Sequence, residues 1–512
     1  MAKSRTQKAA LNTATAALSE IVLLICGLIL PRLILRNFGS AYNGITSSAK
    51  QFLSAISILN VGVAGSTRVA LYKTLAEGNI EESSAIVRAT EIYMRKVGLV
   101  LATYILTLAV IYPLVVDTGY GWLDVALLVI AAGIGTFGQY FFGTAYQAFL
   151  SANQTIYISN IFSIITTILN TVVSAILIYA GCSIQVVKLG SAGVLFLRPL
   201  LQNIYVTKKY KINKKCKPDT KALSQRRDVM AHSIANIVHD NTDIVVLTIF
   251  TDVKIVSVYT VYNLVMNALK KMQHVFTTGT EAIFGNMWAK GEIDKIKSAL
   301  GYYEYIVTSF ISIVFSTCIA MILPFVALYV HGVTDVEYVL PVYALIITTA
   351  QAFFCFRSPY LTLVQGVGHY KQTKKGAYLE AIINLTSSVI LVNIIGIAGV
   401  AIGTLVANIF RSFQYAIYID NNLIKRGKGV FLRKLAWSIM NASVIVLSAS
   451  SIVNRYAYKS WVAWVVCAMA VTVFSIIVTV VSSLIFYRKD MIAVYRIVQR
   501  AFIKRKKVSN KR

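Results

Sequence analysis

Charge is what this sequence has least of. Only 14% of its 512 residues are Asp, Glu, Lys or Arg, where a soluble domain carries about a quarter. So little charge cannot solvate a chain of this length, which excludes an ordinary soluble class. Acidic residues are scarcest, 21 against 50 Lys and Arg, and none forms a paired-carboxylate motif in an external connection. A membrane glycosyltransferase or polysaccharide polymerase needs acidic catalytic or metal-binding residues and usually a sizeable external loop, so that class is disfavoured. The six cysteines, Cys26, Cys182, Cys216, Cys318, Cys355 and Cys467, are scattered without CxxC or metal-type spacing. They read as small apolar residues. The sequence therefore leads us to expect no catalytic residue, no metal site and no cofactor.

What is abundant is apolar sequence, 57% of the chain. Between Ala14 and Leu35 the only charged residues are Glu20 and Arg32, and similar runs recur, each close to the roughly 20 residues that cross a hydrocarbon core. In lipid such runs must be helices, because every backbone polar group needs an internal partner. The expectation is an all-α integral membrane protein with about fourteen spans. They lie near 9–35, 44–70, 96–116, 122–150, 155–180, 183–207, 229–250, 254–285, 302–330, 338–366, 376–395, 397–419, 435–453 and 460–486. The first run follows Lys3, Arg5 and Lys8 but is too long for a signal peptide, so it reads as a retained helix.

The net charge of +29 follows topology. Basic connections (the N-terminus, Arg88-Arg95-Lys96, Lys208 to Arg227, Lys290-Lys295-Lys297, Lys371-Lys374-Lys375, Lys425 to Lys434 and the C-terminal tail) alternate with short ones poor in Lys and Arg (Asp117 to Asp124, Ala180 to Ser183, His331 to Glu337, Ile395 to Gly399). This positive-inside pattern puts both termini in the cytoplasm. Arg36, Lys50, Lys188, Lys254, Arg455 and Lys459 are exceptions on or near the other side. The excess sets topology and touches anionic lipid, and no nucleic-acid module accompanies it. From Met491 to Lys507, Ile492, Tyr495, Val498 and Phe502 interleave with Arg496, Arg500 and Lys504, as in a helix lying on a membrane surface.

The chain also matches itself at an offset of about 213 residues, the test for internal repeats. Phe142 and Tyr146 fall on Phe356 and Tyr360, Asn170 on Asn384, and Arg198 on Arg411. Six spans separate matching points, so both copies enter the membrane in the same sense, as two six-helix lobes in a parallel pseudo-repeat. The expected organisation is an N-lobe at 1–207, a basic linker at 208–227, a C-lobe at 228–420, two additional spans at 421–486 and a basic tail at 487–512.

Ionisable side chains at mid-depth are expensive in lipid and usually face a cavity or a partner. Arg32, Arg68, Arg198, Lys270, Lys271, Arg357 and Arg411 lie within apolar spans, against fewer internal acids: Glu20, Asp240, Asp243, Glu281 and Glu380. An electropositive interior would receive an anionic group, for which the arginine fork suits phosphate. Snorkelling to an interface or pairing with a carboxylate is the competing reading for each. His232, His239, Asp240, Asn241 and Asp243 make span seven the most polar. His239, Asp240 and Asp243, with Glu380 and Asn384 on span eleven, are candidates for coupling to an ion; hydrogen bonding at a wet helix end is the alternative.

The strings LPRLILRNFGSAYNGI at 30–45, LRPLLQNIYV at 197–206, NTDIVVLTIF at 241–250 and FRSPYLTLVQGVGHYKQT at 356–373 resemble those of bacterial polysaccharide (O-antigen or capsule repeat-unit) flippases. These belong to the multidrug/oligosaccharidyl-lipid/polysaccharide exporter superfamily. The resemblance covers residues 8 to 485 and rests on the joint order of the strings. It implies translocation of an undecaprenyl-pyrophosphate-linked oligosaccharide across the bacterial cytoplasmic membrane by alternating access, driven by H+ or Na+ or by membrane potential. Polysaccharide polymerase and glycosyltransferases are implied partners. A drug or metabolite antiporter of the same superfamily is the second reading, for which Glu20 is the only lone first-lobe carboxylate.

Overall fold

The computed structural model describes residues 5–219, 241–277, 279–427 and 429–509. It is helical, with no strand among the described residues. In chain order the helices are α1 (Arg5–Phe38), α2 (Ser40–Ser54), α3 (Ser57–Ala76), α4 (Ile80–Val115), α5 (Trp122–Gly138), α6 (Thr144–Ala152), α7 (Tyr157–Tyr179), α8 (Ile184–Lys209) and α9 (Asn241–Phe250). They continue as α10 (Val253–Thr277), α11 (Thr280–Ala289), α12 (Ile293–Phe310), α13 (Ser316–Tyr329), α14 (Pro341–Phe356), α15 (Ser358–Gly366), α16 (Tyr370–Ile395), α17 (Ile397–Ile419), α18 (Gly429–Tyr456), α19 (Trp461–Phe486) and α20 (Arg488–Ser509).

Ten helical stretches among the described residues are long and apolar enough to cross a membrane, so the protein is a multi-pass membrane protein. The other four expected spans are interrupted or partly described. Span two breaks at Ala55-Ile56 into α2 and α3, and span eight divides into α10 and α11. Span ten breaks at Arg357 into α14 and α15, where Ser358-Pro359 follows and proline disfavours helix in the residue before it. Span seven is described from Asn241 onward, which leaves His232, His239 and Asp240 outside the described residues. Exposed apolar side chains such as Leu114, Leu447, Val462 and Ile485 lie on these helices, as a lipid-facing surface requires.

The repeat is written in the helix boundaries. α2 and α10 start at Ser40 and Val253, α4 and α12 at Ile80 and Ile293, α7 and α16 at Tyr157 and Tyr370, α8 and α17 at Ile184 and Ile397, each pair 213 residues apart. Gly78 and Gly291, at φ 71° and 70°, turn the chain before α4 and α12. Lys211 and Lys425, at φ 54° and 44°, do so after α8 and α17.

Contacts divide the chain into two compact units. The first is Met1–Thr260 with Gly332–Val336, the second Val261–His331 with Glu337–Arg512. Within the first, α2 meets α9 and the start of α10 along a seam of small and polar residues. Asn43 Nδ2 donates to Ser257 Oγ at 2.8 Å, and the Ser48 and Thr248 hydroxyls are 2.8 Å apart. Gly44 is pressed against the carbonyl of Val253, so any Cβ there would collide with it. The backbone N–H and hydroxyl of Ser40 both donate to Asp335, at 2.8 and 2.6 Å, giving the N-terminus of α2 an acceptor.

Within the second unit, α18 and α19 pack on α13 around Met321, Ile445, Ala449, Val453, Cys467 and Val471. Trp464 Nε1 donates to the Met321 carbonyl at 3.1 Å. The expected additional spans are thus fastened to this unit. The tail forms α20, with Ile492 and Tyr495 exposed.

Candidate functional site

Three of the singled-out residues meet inside the second unit. Arg357 sits at the α14–α15 break, Glu380 on α16, and Arg411 on α17. All three are nearly sealed, at 7%, 7% and 4% exposure. Arg357 Nη1 is in contact with Glu380 Oε1, and Arg411 Nε lies 3.3 Å from Glu380 Oε2. The remaining donors of Arg411 go to the Thr373 carbonyl at 3.2 Å, to Gln414 at 2.6 Å and to the Tyr415 hydroxyl at 2.5 Å. A side chain at Gly376 would occupy the place of the Arg411 guanidinium, so the glycine makes the close approach available. Arg357 also lies over the Phe354 ring at 4.5 Å, and Lys270 over the same ring at 5.4 Å. Two arginines thus share one carboxylate. Asn384 donates to Thr404 at 3.0 Å, one turn along α16 from Glu380. Lys271 is exposed.

The first unit is arranged differently. Arg198 occupies on α8 the position that Arg411 holds on α17. The buried faces of α7 and α16 align with Asn170 on Asn384 and Ser174 on Ser388, which puts Thr166 where the second copy has Glu380. Likewise α6 and α15 align so that Gly143 stands for Arg357. Arg198 therefore has neither the carboxylate nor the second arginine, and its Nε is buried without a hydrogen-bond acceptor.

Two further cations join this picture. Lys50 and Lys188, taken as charge exceptions near the external side, lie within α2 and α8 and are close enough for their charges to repel. Lys50 is exposed although its neighbours Ser48 and Ala49 are fully covered. No carboxylate among the described residues pairs with Lys50, Lys188 or Arg198. Arg32 is half-buried on α1 and has a partner, whereas Arg68 is exposed on α3. Asp243 is buried and accepts from the Tyr259 hydroxyl at 3.2 Å. Asp240 and His239 lie outside the described residues.

A second feature lies within the second unit. A cleft of about 380 Å³ opens between α13, α14 and α18, lined by Phe315, Phe353, Phe356, Leu435, Ile439 and Leu447, with only Ser and Thr hydroxyls for polarity.

No protein-family model and no curated protein sequence matches the chain. Solved structures do. The lipid II flippase MurJ in an inward closed conformation superposes with a TM-score of 0.70 at 15% identity, covering 94% of this chain and 99% of that one. An inward-facing multidrug resistance MATE transporter of the MOP superfamily gives 0.61 at 14% identity, over 83% and 95%. An outward-facing one gives 0.52 at 14%, over 86% and 97%. The chain has the fold shared by the lipid II flippase MurJ and the MATE transporters.

Proposed function

We propose that this protein is a flippase that moves an undecaprenyl-pyrophosphate-linked oligosaccharide from the cytoplasmic to the outer leaflet of the bacterial cytoplasmic membrane by alternating access. The observation that carries the reading is the set of cations borne on the helices of the first unit, Lys50, Lys188 and Arg198, with no carboxylate of the described residues to neutralise them. Lys50 and Lys188 are near enough for their like charges to repel, and an anion between them relieves that repulsion. A diphosphate supplies two adjacent anionic groups. Arg32 and Arg68 in the first unit, and Lys270, Lys271, Arg357 and Arg411 in the second, are the further candidates for contact with the anion. The apolar cleft beside α18 suits the prenyl chain, while the sugars need only a wet passage.

In this reading the basic connections and both termini face the cytoplasm, and α20 lies on anionic lipid. Glu380, Asn384, Asp240, Asp243 and His239 are the candidates for coupling to H+ or Na+. The protein acts beside the glycosyltransferases that build its substrate and the polymerase that consumes it.

The test is the lipid-linked intermediate in cells. With Lys50, Lys188 and Arg198 all replaced by Ala, the inserted protein is expected to leave the intermediate on the cytoplasmic face. Undiminished export by that variant overturns the reading. Export of drugs with no effect on the intermediate would point to the antiporter class instead, which shares the fold of the MATE transporters.

A further inference from the structure

We infer that the outer face of α7 and α8 carries a site for an anionic phospholipid of the surrounding membrane. The inference goes beyond the flippase reading and does not depend on it. Toward the C-terminal end of α8 a groove of about 470 Å³ is lined by Phe162, Leu201, Ile204, Tyr205, Lys208 and Lys209. Along the helix the groove is apolar, with Leu201 and Ile204 exposed, as on a face that meets acyl chains. Its end is basic. Lys208 and Lys209 are both exposed, and no carboxylate among the described residues pairs with either. Lys209 Nζ lies over the Tyr205 ring at 5.0 Å and donates to the Tyr205 hydroxyl at 2.5 Å. Two of its three donors are left for another acceptor. The Phe162 ring meets the Tyr205 ring edge-on at 6.0 Å, so the tyrosine joins the apolar stretch to the charged end. Acyl chains fit the first part and a negatively charged phosphodiester headgroup the second.

The repeat supplies the comparison. Gln414, Ile417, Tyr418, Asn421 and Asn422, each 213 positions on from a residue of the first groove, line a groove of about 550 Å³ in the second unit. Ile204 and Tyr205 persist there as Ile417 and Tyr418, but Asn421 and Asn422 stand for Lys208 and Lys209. A cation near a helix C-terminus is favourable on its own account, which would be the plain reason for two lysines. The second copy shows that the helix end does not require them. There Asn422 Nδ2 donates to the Tyr418 carbonyl at 2.9 Å, and the Tyr418 hydroxyl is 2.8 Å from His369 Nδ1. Two grooves at equivalent places thus differ in charge, and only the first selects an anionic headgroup.

The test uses the purified full-length protein in bilayers of phosphatidylcholine and phosphatidylglycerol, with one tryptophan added in one groove at a time. Phe162→Trp reports on the first groove and Phe410→Trp on the second, which Phe410 also lines. One of the two lipids carries brominated chains, so quenching of the added tryptophan, over that of the parent protein, measures which lipid lies beside it. Each lysine is expected to favour the anionic lipid roughly fivefold, so Phe162→Trp should show a preference for phosphatidylglycerol on the order of 25-fold. Phe410→Trp should show close to none. Lys208→Asn/Lys209→Asn, which copies the second groove, should remove the preference at the first. A preference equal at the two grooves, or one that survives loss of both lysines, overturns the site. Sodium phosphate that lowers the preference more than sodium chloride of equal ionic strength overturns the lipid as its occupant. Should the lysine variant fail to fold, the two reporters in the otherwise unaltered chain still decide the matter.

Discussion

Arg198 and Arg411 stand at the same distance from the starts of α8 and α17, yet only Arg411 has a carboxylate, Glu380, 3.3 Å away. Two copies of one fold have thus come to hold the same cation in opposite electrostatic states. The difference lies on the neighbouring helix, where Thr166 takes the place of Glu380.

That relationship can be tested by making the copies alike. Thr166→Glu should give Arg198 the partner that Arg411 has and withdraw it from any entering anion. Export should fall several-fold while the amount of inserted protein is unchanged, and Thr166→Gln, of the same size without the charge, should export as wild type does. The measurement is accumulation of lipid-linked intermediate in cells carrying each variant. Equal defects in the two variants would mean that size and not charge is at fault.

A second pair of equivalents separates buried from half-open ion pairs. Glu91 and Glu304 are also 213 residues apart, at 3% and 2% exposure. Glu304 holds Arg426, and Lys434 at 2.9 Å, both well covered. Glu91 holds Arg88 at 2.9 Å and Arg95 at 2.8 Å, which keep 27% and 42% of their surface. Removing one partner of a buried pair costs about 3–5 kcal/mol because the other is left charged and dry. Glu304→Ala should therefore lower the thermal midpoint in detergent markedly, and Glu91→Ala much less, since Arg88 and Arg95 can turn to water. Equal shifts would contradict this account.

Much of the fold was legible because run length and period act locally. The helix starts repeat at the offset that Arg198/Arg411 had already announced. The break of span ten also had its signal, in Ser358-Pro359. The break of span two at Ala55-Ile56 had none, for neither glycine nor proline stands there. The site was less legible, since Arg357, Glu380 and Arg411 come together only through packing of α14, α16 and α17. A cation list cannot tell a free arginine from a paired one. Lys50 and Lys188 were passed over for a different reason: they fell inside the expected spans at 44–70 and 183–207 but were counted only as exceptions to the alternation of charge.

The cleft beside α18 makes a separate prediction about the lipid tail. Ala442 lines it, as do Ser438 and Ser443, so Ala442→Trp should fill much of the space without touching a charge. Pyrophosphate binding by the purified protein should be unchanged, whereas export of the lipid-linked substrate should drop. Loss of both would mean that the substitution disturbs the second unit as a whole.

The last prediction concerns the seam of α2. It is held by neutral hydrogen bonds and by a glycine with no room to grow, each bond contributing only about 0.5–1.5 kcal/mol. Contacts so weak suit a surface that parts and closes repeatedly, whereas a packed aliphatic seam would resist parting. The hydroxyls of Ser48 and Thr248, 2.8 Å apart, lie close enough for cysteines in their place to form a disulfide. In the double variant Ser48→Cys/Thr248→Cys, oxidation should cross-link α2 to α9 in the membrane and stop export, and a reductant should restore it within the same cells. Either single cysteine should export normally under both conditions. Export that continues in the oxidised, fully cross-linked protein would show that α2 and α9 stay together throughout transport, and that the weakness of their seam serves some other purpose.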